Sequence, residues 1–250
     1  MKLHVVATGS SGNCYVLDGK DSALVLEAGV QPEKVFRMVR TSTRKIAGVL
    51  ITHEHGDHAK FVHRWLELGF PVYMSAGTRD ALRLEDAAGV VTLRTGSRFE
   101  LNDAFEVTPL RAIHDAAEPV FYVIQTAEAG RILFATDTMR IPYHFVDGRF
   151  RHILIEVNFT NDLLNAGIDS RRVLPPLAAR IRGNHQSLLY AEMFLESHVS
   201  PELETVVLIH LSEENADPGV IAARIGRICP YSDVHVAVKG LVVPLGNALI

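Results

Sequence analysis

One short segment, residues 53–58 with the sequence His-Glu-His-Gly-Asp-His, constrains the fold more than any other part of the chain. It directly follows the apolar run 46–51, at the point where a buried strand should end. Five of its six residues have side chains that can bind a metal ion, and imidazole is the side chain that binds zinc and similar ions most often. A loop at a strand end holds ligands on a rigid scaffold and leaves them open to substrate. The alternative, a solvated turn with chance histidines, does not account for the H-x-H-x-D-H spacing.

The composition indicates one globular domain over residues 1–250. The chain is 48% hydrophobic and 22% charged, and 250 residues is close to the upper size for a single core. It contains no run of 18 apolar residues and begins without the pattern of a secretion signal, so we expect no membrane span. Two cysteines, Cys14 and Cys229, are too few for a disulfide framework, which favours a cytoplasmic location.

The net charge of −4 argues against a generally basic surface for nucleic acid. It does not exclude a nuclease, because bound divalent ions supply positive charge at the site itself. The sequence favours no particular oligomeric state.

Strand and helix signals alternate along the chain, which indicates an α/β layered domain. Short apolar segments predict strands at 3–7, 15–17, 23–26, 49–52, 71–75, 105–111, 120–126, 131–136, 152–157, 205–210, 234–238 and 241–243. Amphipathic segments and helix-start signals predict helices at 32–40, 59–68, 78–85, 170–181, 188–197 and 220–228.

The 53–58 segment resembles the signature of the metallo-β-lactamase superfamily. The resemblance extends over essentially the whole chain and implies an αββα four-layer sandwich, with two mixed sheets packed face to face and helices outside. It also implies three more ligands after strands, and the chain has His114, Asp137 and His210 after the predicted strands 105–111, 131–136 and 205–208.

The family roles imply two divalent metal ions per chain. They assign His53, His55 and His114 to one ion, Asp57, His58 and His210 to the second, and Asp137 to a bridging position. This mixed set of nitrogen and oxygen ligands suits zinc, and manganese or iron are alternatives. A water shared between ions about 3.5–4 Å apart becomes a nucleophile near neutral pH. Because β-lactamases of the superfamily typically carry Cys at the bridging position, lactam hydrolysis is disfavoured.

The resemblance also implies residues around the metals. Glu27 occupies the place of a carboxylate that orients a ligand histidine, and Glu54 is expected to be a surface or supporting residue. Asn158 falls where relatives have a polar residue beside the metals. Three residues of the turn at 8–13 are expected to lie at the edge of the cleft that holds the metals: Ser10, Ser11 and Asn13.

Segments 9–15 and 208–215 resemble the YycJ/WalJ-like branch, which is related to ribonucleases Z and J and to DNA exonucleases. Residues 183–187, Gly-Asn-His-Gln-Ser, resemble that branch's segment before a helix. His185 is therefore the candidate general acid, and it joins Asp57 as a candidate catalytic residue. Ser187 is a candidate helix cap or phosphate contact. A solvated histidine at a helix terminus is the alternative for His185.

Three functions are compatible with the sequence. The first is a dinuclear phosphodiesterase, most plausibly an exonuclease on DNA or RNA. The second is a hydrolase of a small ester, thioester or cyclic phosphodiester. The third, a non-catalytic binding protein, is disfavoured by seven retained ligands. Seven arginines of the second half could form a phosphate track or lie on solvated helix faces: Arg140, Arg149, Arg151, Arg171, Arg172, Arg180 and Arg182.

Overall fold

The computed structural model describes residues 1–146 and 149–246. Over these residues the strands are β1 (Lys2–Ala7), β2 (Cys14–Asp18), β3 (Ala23–Leu26), β4 (Ile46–Leu50), β5 (Val72–Met74), β6 (Val90–Thr92), β7 (Phe99–Asn102), β8 (Phe105–Arg111), β9 (Val120–Thr126), β10 (Gly130–Ala135), β11 (His152–Glu156), β12 (Thr205–Ile209), β13 (Asp233–Val236) and β14 (Val242–Pro244). The α-helices are α1 (Pro32–Val39), α2 (Gly56–Ala59), α3 (Val62–Glu67), α4 (Ala76–Ala81), α5 (Asn161–Asp169), α6 (Pro175–Asn184), α7 (Leu188–His198) and α8 (Pro218–Ile228).

The strands form two mixed seven-stranded sheets. Their orders are β14-β1-β2-β3-β4-β5-β6 and β13-β12-β11-β10-β9-β8-β7. In the first sheet, β14 and β1–β3 pair antiparallel, whereas β3–β6 pair parallel. In the second, β7–β9 are antiparallel and β10–β13 are parallel. The predicted α/β class with two mixed sheets and flanking helices is confirmed.

The described chain divides into two compact units. The first contains residues 1–111, 116–131 and 238–246, and the second contains residues 112–115 and 132–237. The prediction of a single domain, which extended to residue 250, stays a prediction. No helix of the described part is both long enough and apolar enough to span a membrane.

The first unit has a core of aliphatic strand residues and one tryptophan. β3 is buried along its whole length, as expected for an apolar strand covered on both faces. Trp65 is fully buried and meets Phe36 edge to face, with ring centroids 5.6 Å apart. Just past β4, the Tyr122 hydroxyl donates to the carbonyl oxygen of Ile51 at 2.5 Å. These contacts fix the strand end from which segment 53–58 continues.

The second unit is built on parallel strands that are also apolar throughout. All five residues of β11 and all five of β12 are buried, and the strands pair from His152 opposite Thr205 to Glu156 opposite Ile209. Parallel strands end at the same sheet edge, so the residues after β10, β11 and β12 lie together there. That edge carries Asp137, Glu156 and His210.

Two of the predicted helices were wrong. The helix expected at 170–181 begins only at Pro175, as α6, because proline fits the first turn of a helix but not its interior. The helix α5 was not expected. The helix expected at 59–68 is divided into α2 and α3. Its break is at Phe61, whose N–H donates to the carbonyl oxygen of Ala28 at 2.9 Å.

Gly29 allows three backbone segments to meet beside segment 53–58. The Asn13 N–H donates to the carbonyl oxygen of Asp57 at 2.7 Å, and the Gly29 N–H donates to that of Asn13 at 3.0 Å. A Cβ atom added to Gly29 would lie 1.9 Å from the Asp57 carbonyl oxygen and 2.6 Å from the Asn13 nitrogen. Neither contact is sterically allowed, and both involve backbone atoms that cannot move aside alone.

Gly29→Ala is therefore expected to lower the free energy of unfolding by about 3 kcal/mol or more, as overpacking against fixed atoms does. Chemical denaturation of the two proteins measures this. The matched control is Gly226→Ala within α8, where an added Cβ meets nothing within 4 Å. That variant should gain up to about 1 kcal/mol, because alanine favours the helix. Equal stability of both variants would contradict the close approach at Gly29.

Candidate metal centre

In the first unit, the ligand loop follows β4 and contains α2. His53 and His58 are buried, whereas His55 and Asp57 are half-buried. The ring centroid of His53 lies 4.7 Å from that of His55 and 4.2 Å from that of His58. The loop therefore brings its four predicted ligands together within the first unit.

Three neighbouring residues hold these rings. Thr52 Oγ1 lies 2.9 Å from His53 Nδ1, and Glu27 Oε1 lies 3.4 Å from His58 Nδ1. The side-chain amide of Asn13 lies 3.1 Å from His58 Nε2 and 3.3 Å from Asp57 Oδ2. Because the amide nitrogen can only donate, His58 Nε2 is the accepting nitrogen and Nδ1–H faces Glu27.

Glu27 is the carboxylate that lies beside the His58 ring. It follows β3 directly, is fully buried and has a left-handed backbone (φ 69°). Burial raises its pKa, and the neighbouring His58 only partly offsets that effect. Its second oxygen accepts from the Thr52 N–H at 3.4 Å. Its side chain thus reaches His58, but the orienting role stays a prediction.

In the second unit, His114, Asp137 and His210 lie close together. Asp137 Oδ2 lies 3.8 Å from His114 Nε2, and Asp137 Oδ1 lies 3.3 Å from His210 Nδ1. His114 Nδ1 donates to the carbonyl oxygen of Asn184 at 2.9 Å, which directs Nε2 toward Asp137. Burial lowers the pKa of His114, although Asp137 opposes the shift, so the neutral imidazole that binds metals is favoured.

Glu156 is a further residue of this cluster that the sequence analysis missed. One of its oxygens, Oε1, accepts from His185 Nδ1 at 2.8 Å and from His210 Nδ1 at 2.9 Å. The other accepts the N–H groups of Thr138 and Gln186 at 3.1 and 3.2 Å. Burial alone would raise its pKa, but the two histidines outweigh burial and the pKa is lowered. The available signal was a carboxylate at the end of an apolar strand.

His185 belongs to the same cluster. It directly follows α6, and its side chain is 16% exposed. Its ring centroid lies 5.4 Å from that of His114 and 5.6 Å from that of His210. Burial lowers its pKa, but Glu156 and Asp137 together raise it above the ordinary value. The ring is thus held among predicted ligands and carboxylates, unlike a solvated histidine at a helix terminus.

The other predicted residues take supporting or exposed positions. Asn158 donates from its amide to the carbonyl oxygen of His210 at 3.0 Å and so braces that loop. Ser187 caps α7 by accepting from the Tyr190 N–H at 3.3 Å. Glu54 accepts from the Ala117 N–H at 2.7 Å, as a supporting residue would. Ser10 and Ser11 are exposed, and their contact with substrate stays a prediction.

The donor set fits divalent transition metals. In four of the five predicted ligand histidines, an oxygen lies within 3.4 Å of Nδ1: it comes from Thr52, Glu27, Asn184 and Glu156. An oxygen partner on one ring nitrogen is the usual arrangement of metal-binding histidines, since it fixes the ring and directs the other nitrogen to the ion. Within the second unit, one ligand atom each from Asp137, Glu156, His185 and His210 lie within 4.8 Å of one another.

The arginines of the second half favour the solvated alternative. Four of the seven form ion pairs within the second unit, namely Arg149–Glu202, Arg151–Glu204, Arg172–Glu214 and Arg180–Asp115. A fifth, Arg182, donates to the amide oxygen of Asn165. Arginines engaged in this way are compensated surface charges, which is not what a phosphate track requires.

The sequence of the chain is similar to those of known proteins. Residues 24–211, more than half of it, match the model of the family described as the β-lactamase superfamily domain. The chain is 27% identical to exodeoxyribonuclease YycJ of Bacillus anthracis, covering 86% of this chain and 84% of that protein. It is 25% identical to exodeoxyribonuclease WalJ of Streptococcus pneumoniae, covering 86% and 82%.

The fold has relatives among solved structures. The metallo-β-lactamase fold protein YhfI of Bacillus subtilis superposes with a TM-score of 0.73 at 16% identity, covering 97% of this chain and 98% of YhfI. Both the family match and this fold agree with the resemblance found in the sequence. The chain therefore belongs to the metallo-β-lactamase superfamily of metal-dependent hydrolases.

Proposed function

We propose that this hydrolase is a dinuclear phosphodiesterase that acts as an exonuclease on DNA. The observation that carries the proposal is the oxygen contact at Nδ1 of four ligand histidines, because it prepares those rings to bind ions. The names of its relatives support the substrate, since YycJ and WalJ are both exodeoxyribonucleases and each match covers 86% of this chain. We also propose a cytoplasmic location.

The proposed ligands are those of the superfamily. His53, His55 and His114 would hold one ion, Asp57, His58 and His210 the second, and Asp137 both. Zinc is the proposed metal, with manganese or iron as alternatives. Two such ions supply a nucleophilic water near neutral pH and neutralise charge on a phosphodiester.

The remaining residues of the cluster position ligands and move a proton. Glu156 holds both His185 and His210 through one oxygen, so a shift of one ring would disturb the other. With Nδ1 of His185 donating to Glu156, its other nitrogen, Nε2, can carry the proton that the departing oxygen needs. His185 is therefore the proposed general acid. Glu27 and Asn158 position His58 and the His210 loop.

The substrate class is tested with labelled DNA and RNA oligonucleotides, bis-p-nitrophenyl phosphate and a p-nitrophenyl carboxylic ester. We expect DNA to be shortened from an end in a reaction that stops when a chelator removes the metals. Faster turnover of the carboxylic ester than of DNA would contradict the proposal and favour the small-ester alternative.

Asp137→Ala should remove most activity and lower the metal content from about two ions per chain to one or fewer, since the bridging position acts on both ions. Elemental analysis after purification without chelators measures this. The control is Asp233→Ala, an exposed aspartate of β13, which should keep both ions and full turnover. A wild-type protein with less than one ion under metal-replete conditions would refute the dinuclear centre.

Glu156→Gln should weaken metal binding by about 10- to 100-fold, as the loss of a partner of a ligand histidine does. Competition with a metal-sensitive dye measures the affinity. Glu192→Gln is the matched control, because Glu192 is also mostly buried and pairs instead with Arg224 at 2.6 Å. Equal affinities for the wild type and the Glu156 variant would remove Glu156 from the proposed site.

His185→Ala should lower turnover by about 10²–10⁴-fold on substrates with poor leaving groups and keep the metals bound. A nitrophenyl phosphodiester, whose leaving group needs no proton, should lose much less. Exposed His63 provides the control variant, His63→Ala, with no loss on either substrate. Equal losses on both substrates would instead assign His185 a role in positioning the substrate.

A further inference from the structure

The first unit contains a cavity of about 410 Å³ whose lining is rich in lysine. Lys34, Lys60 and Lys239 line it, and they are three of only six lysines in the chain. Ser11 and Thr8 add hydroxyl groups, and no aspartate or glutamate is among the lining residues. This cavity therefore concentrates positive charge in a chain whose net charge is −4.

Neighbouring acids do not cancel this charge. Among the residues that the structure describes, none of the three lysines forms an ion pair with a carboxylate. Glu33, next to Lys34 in α1, is held by Arg64 at 2.6 Å instead. The start of α1 also borders the cavity at Gln31, and a helix N-terminus carries partial positive charge.

A second cavity of the first unit shows the contrast. It is lined by Lys2 and Lys20, but also by the acids Asp18 and Glu128. The N-terminal amine lies 3.4 Å from Glu128, so its charges are mixed. The two cavities thus contain lysines in different electrostatic settings. A low-dielectric wall with charge of one sign focuses attraction for anions, whereas a mixed lining does not.

Residues that line the cavity are close in sequence to the proposed metal-binding loop. Lys60 directly follows α2, which carries Asp57 and His58. Ser11 is two residues before Asn13, whose amide contacts both of those ligands. The lining residue Gly29 also lies against the Asp57 carbonyl oxygen, so the cavity and the loop are neighbours within the first unit.

Phe61 gives the cavity a second kind of contact. Its ring is half-buried in the lining, and the Lys60 ammonium lies 5.5 Å from the ring centre. Single-stranded nucleic acids bind to such combinations of cations and aromatic faces, because phosphates are attracted by the cations and bases stack on the rings.

We propose that this cavity binds the phosphate backbone of single-stranded DNA, with Lys34, Lys60 and Lys239 contacting phosphates and Phe61 supporting a base. The assignment rests on the proposed function, of which it names the strand-binding surface. It also explains how an acidic chain attracts a polyanion: the attraction is local, at one cavity beside the ligand loop.

The test is equilibrium binding of a fluorescent, nuclease-resistant phosphorothioate oligodeoxythymidylate to the metal-loaded protein, followed by anisotropy over a range of salt concentrations. The triple variant Lys34→Gln, Lys60→Gln, Lys239→Gln should bind about 10- to 100-fold more weakly near 0.1 M salt. Its slope of log affinity against log salt should be smaller by about 2, since each phosphate contact on a single strand contributes about 0.7.

The control triple variant Lys2→Gln, Lys20→Gln, Arg44→Gln removes the same charge from exposed or mixed positions outside the cavity. It should change the affinity less than about twofold, and melting temperatures and metal content should confirm that both triple variants are folded and loaded. An equal loss in both variants, or no loss in either, would overturn the proposal.

Two further arms identify the ligand. An uncharged methylphosphonate strand should bind weakly to the wild type and be insensitive to the cavity variant. Inorganic phosphate should compete only at millimolar or higher concentrations; competition at low micromolar concentration would instead indicate a site for the free anion. DNA hydrolysis without an effect of the lysines would reject this cavity alone, whereas lysine-dependent binding without hydrolysis would reject the proposed function alone.

Discussion

Imidazole has two nitrogens, and a ring binds an ion well only if something fixes which of them faces it. In this chain that task falls to oxygen atoms, and two of these belong to carboxylates at strand ends. Glu27 follows β3 and contacts His58, and Glu156 ends β11 and contacts His185 and His210. These carboxylates are fully buried, so the apolar strands around them keep water from competing for their contacts with the rings. The packing of apolar strands is thus a condition for the chemistry that follows.

What was predictable from the sequence depended on how local the interactions are. Segment 53–58 contains its ligands within one loop, so its pattern was visible directly. Strand 120–126 was predicted with the observed bounds, because a long apolar run has few alternatives. The family resemblance supplied His114, Asp137 and His210, which spacing alone would have left as ordinary polar residues. The fold class and the proposed ligands could therefore both be predicted from the sequence.

The misses have a different origin. Glu156 could not be assigned from sequence because its partners His185 and His210 are 29 and 54 residues away, and only the sheet brings them to one edge. The helix predicted at 170–181 was misplaced because Pro175, inside that range, starts a new helix. The arginines of the second half were compatible with a phosphate-binding track, because the sequence does not show which acidic residues pair with them. The structure shows these ion pairs. Charge in a sequence is thus a poor guide to charge on a surface.

Three of the residues assigned to the site have left-handed backbone conformations: Glu27 (φ 69°), Asp137 (φ 44°) and His210 (φ 53°). Such torsions cost about 1–3 kcal/mol each, least for aspartate and histidine and most for a residue such as glutamate. Glycine would adopt them without the steric cost, although it loses more conformational entropy on folding. A glycine at each position would relieve the torsion but would also remove the buried side-chain contacts made there. The chain therefore carries backbone strain at three places where the proposed site uses the side chain.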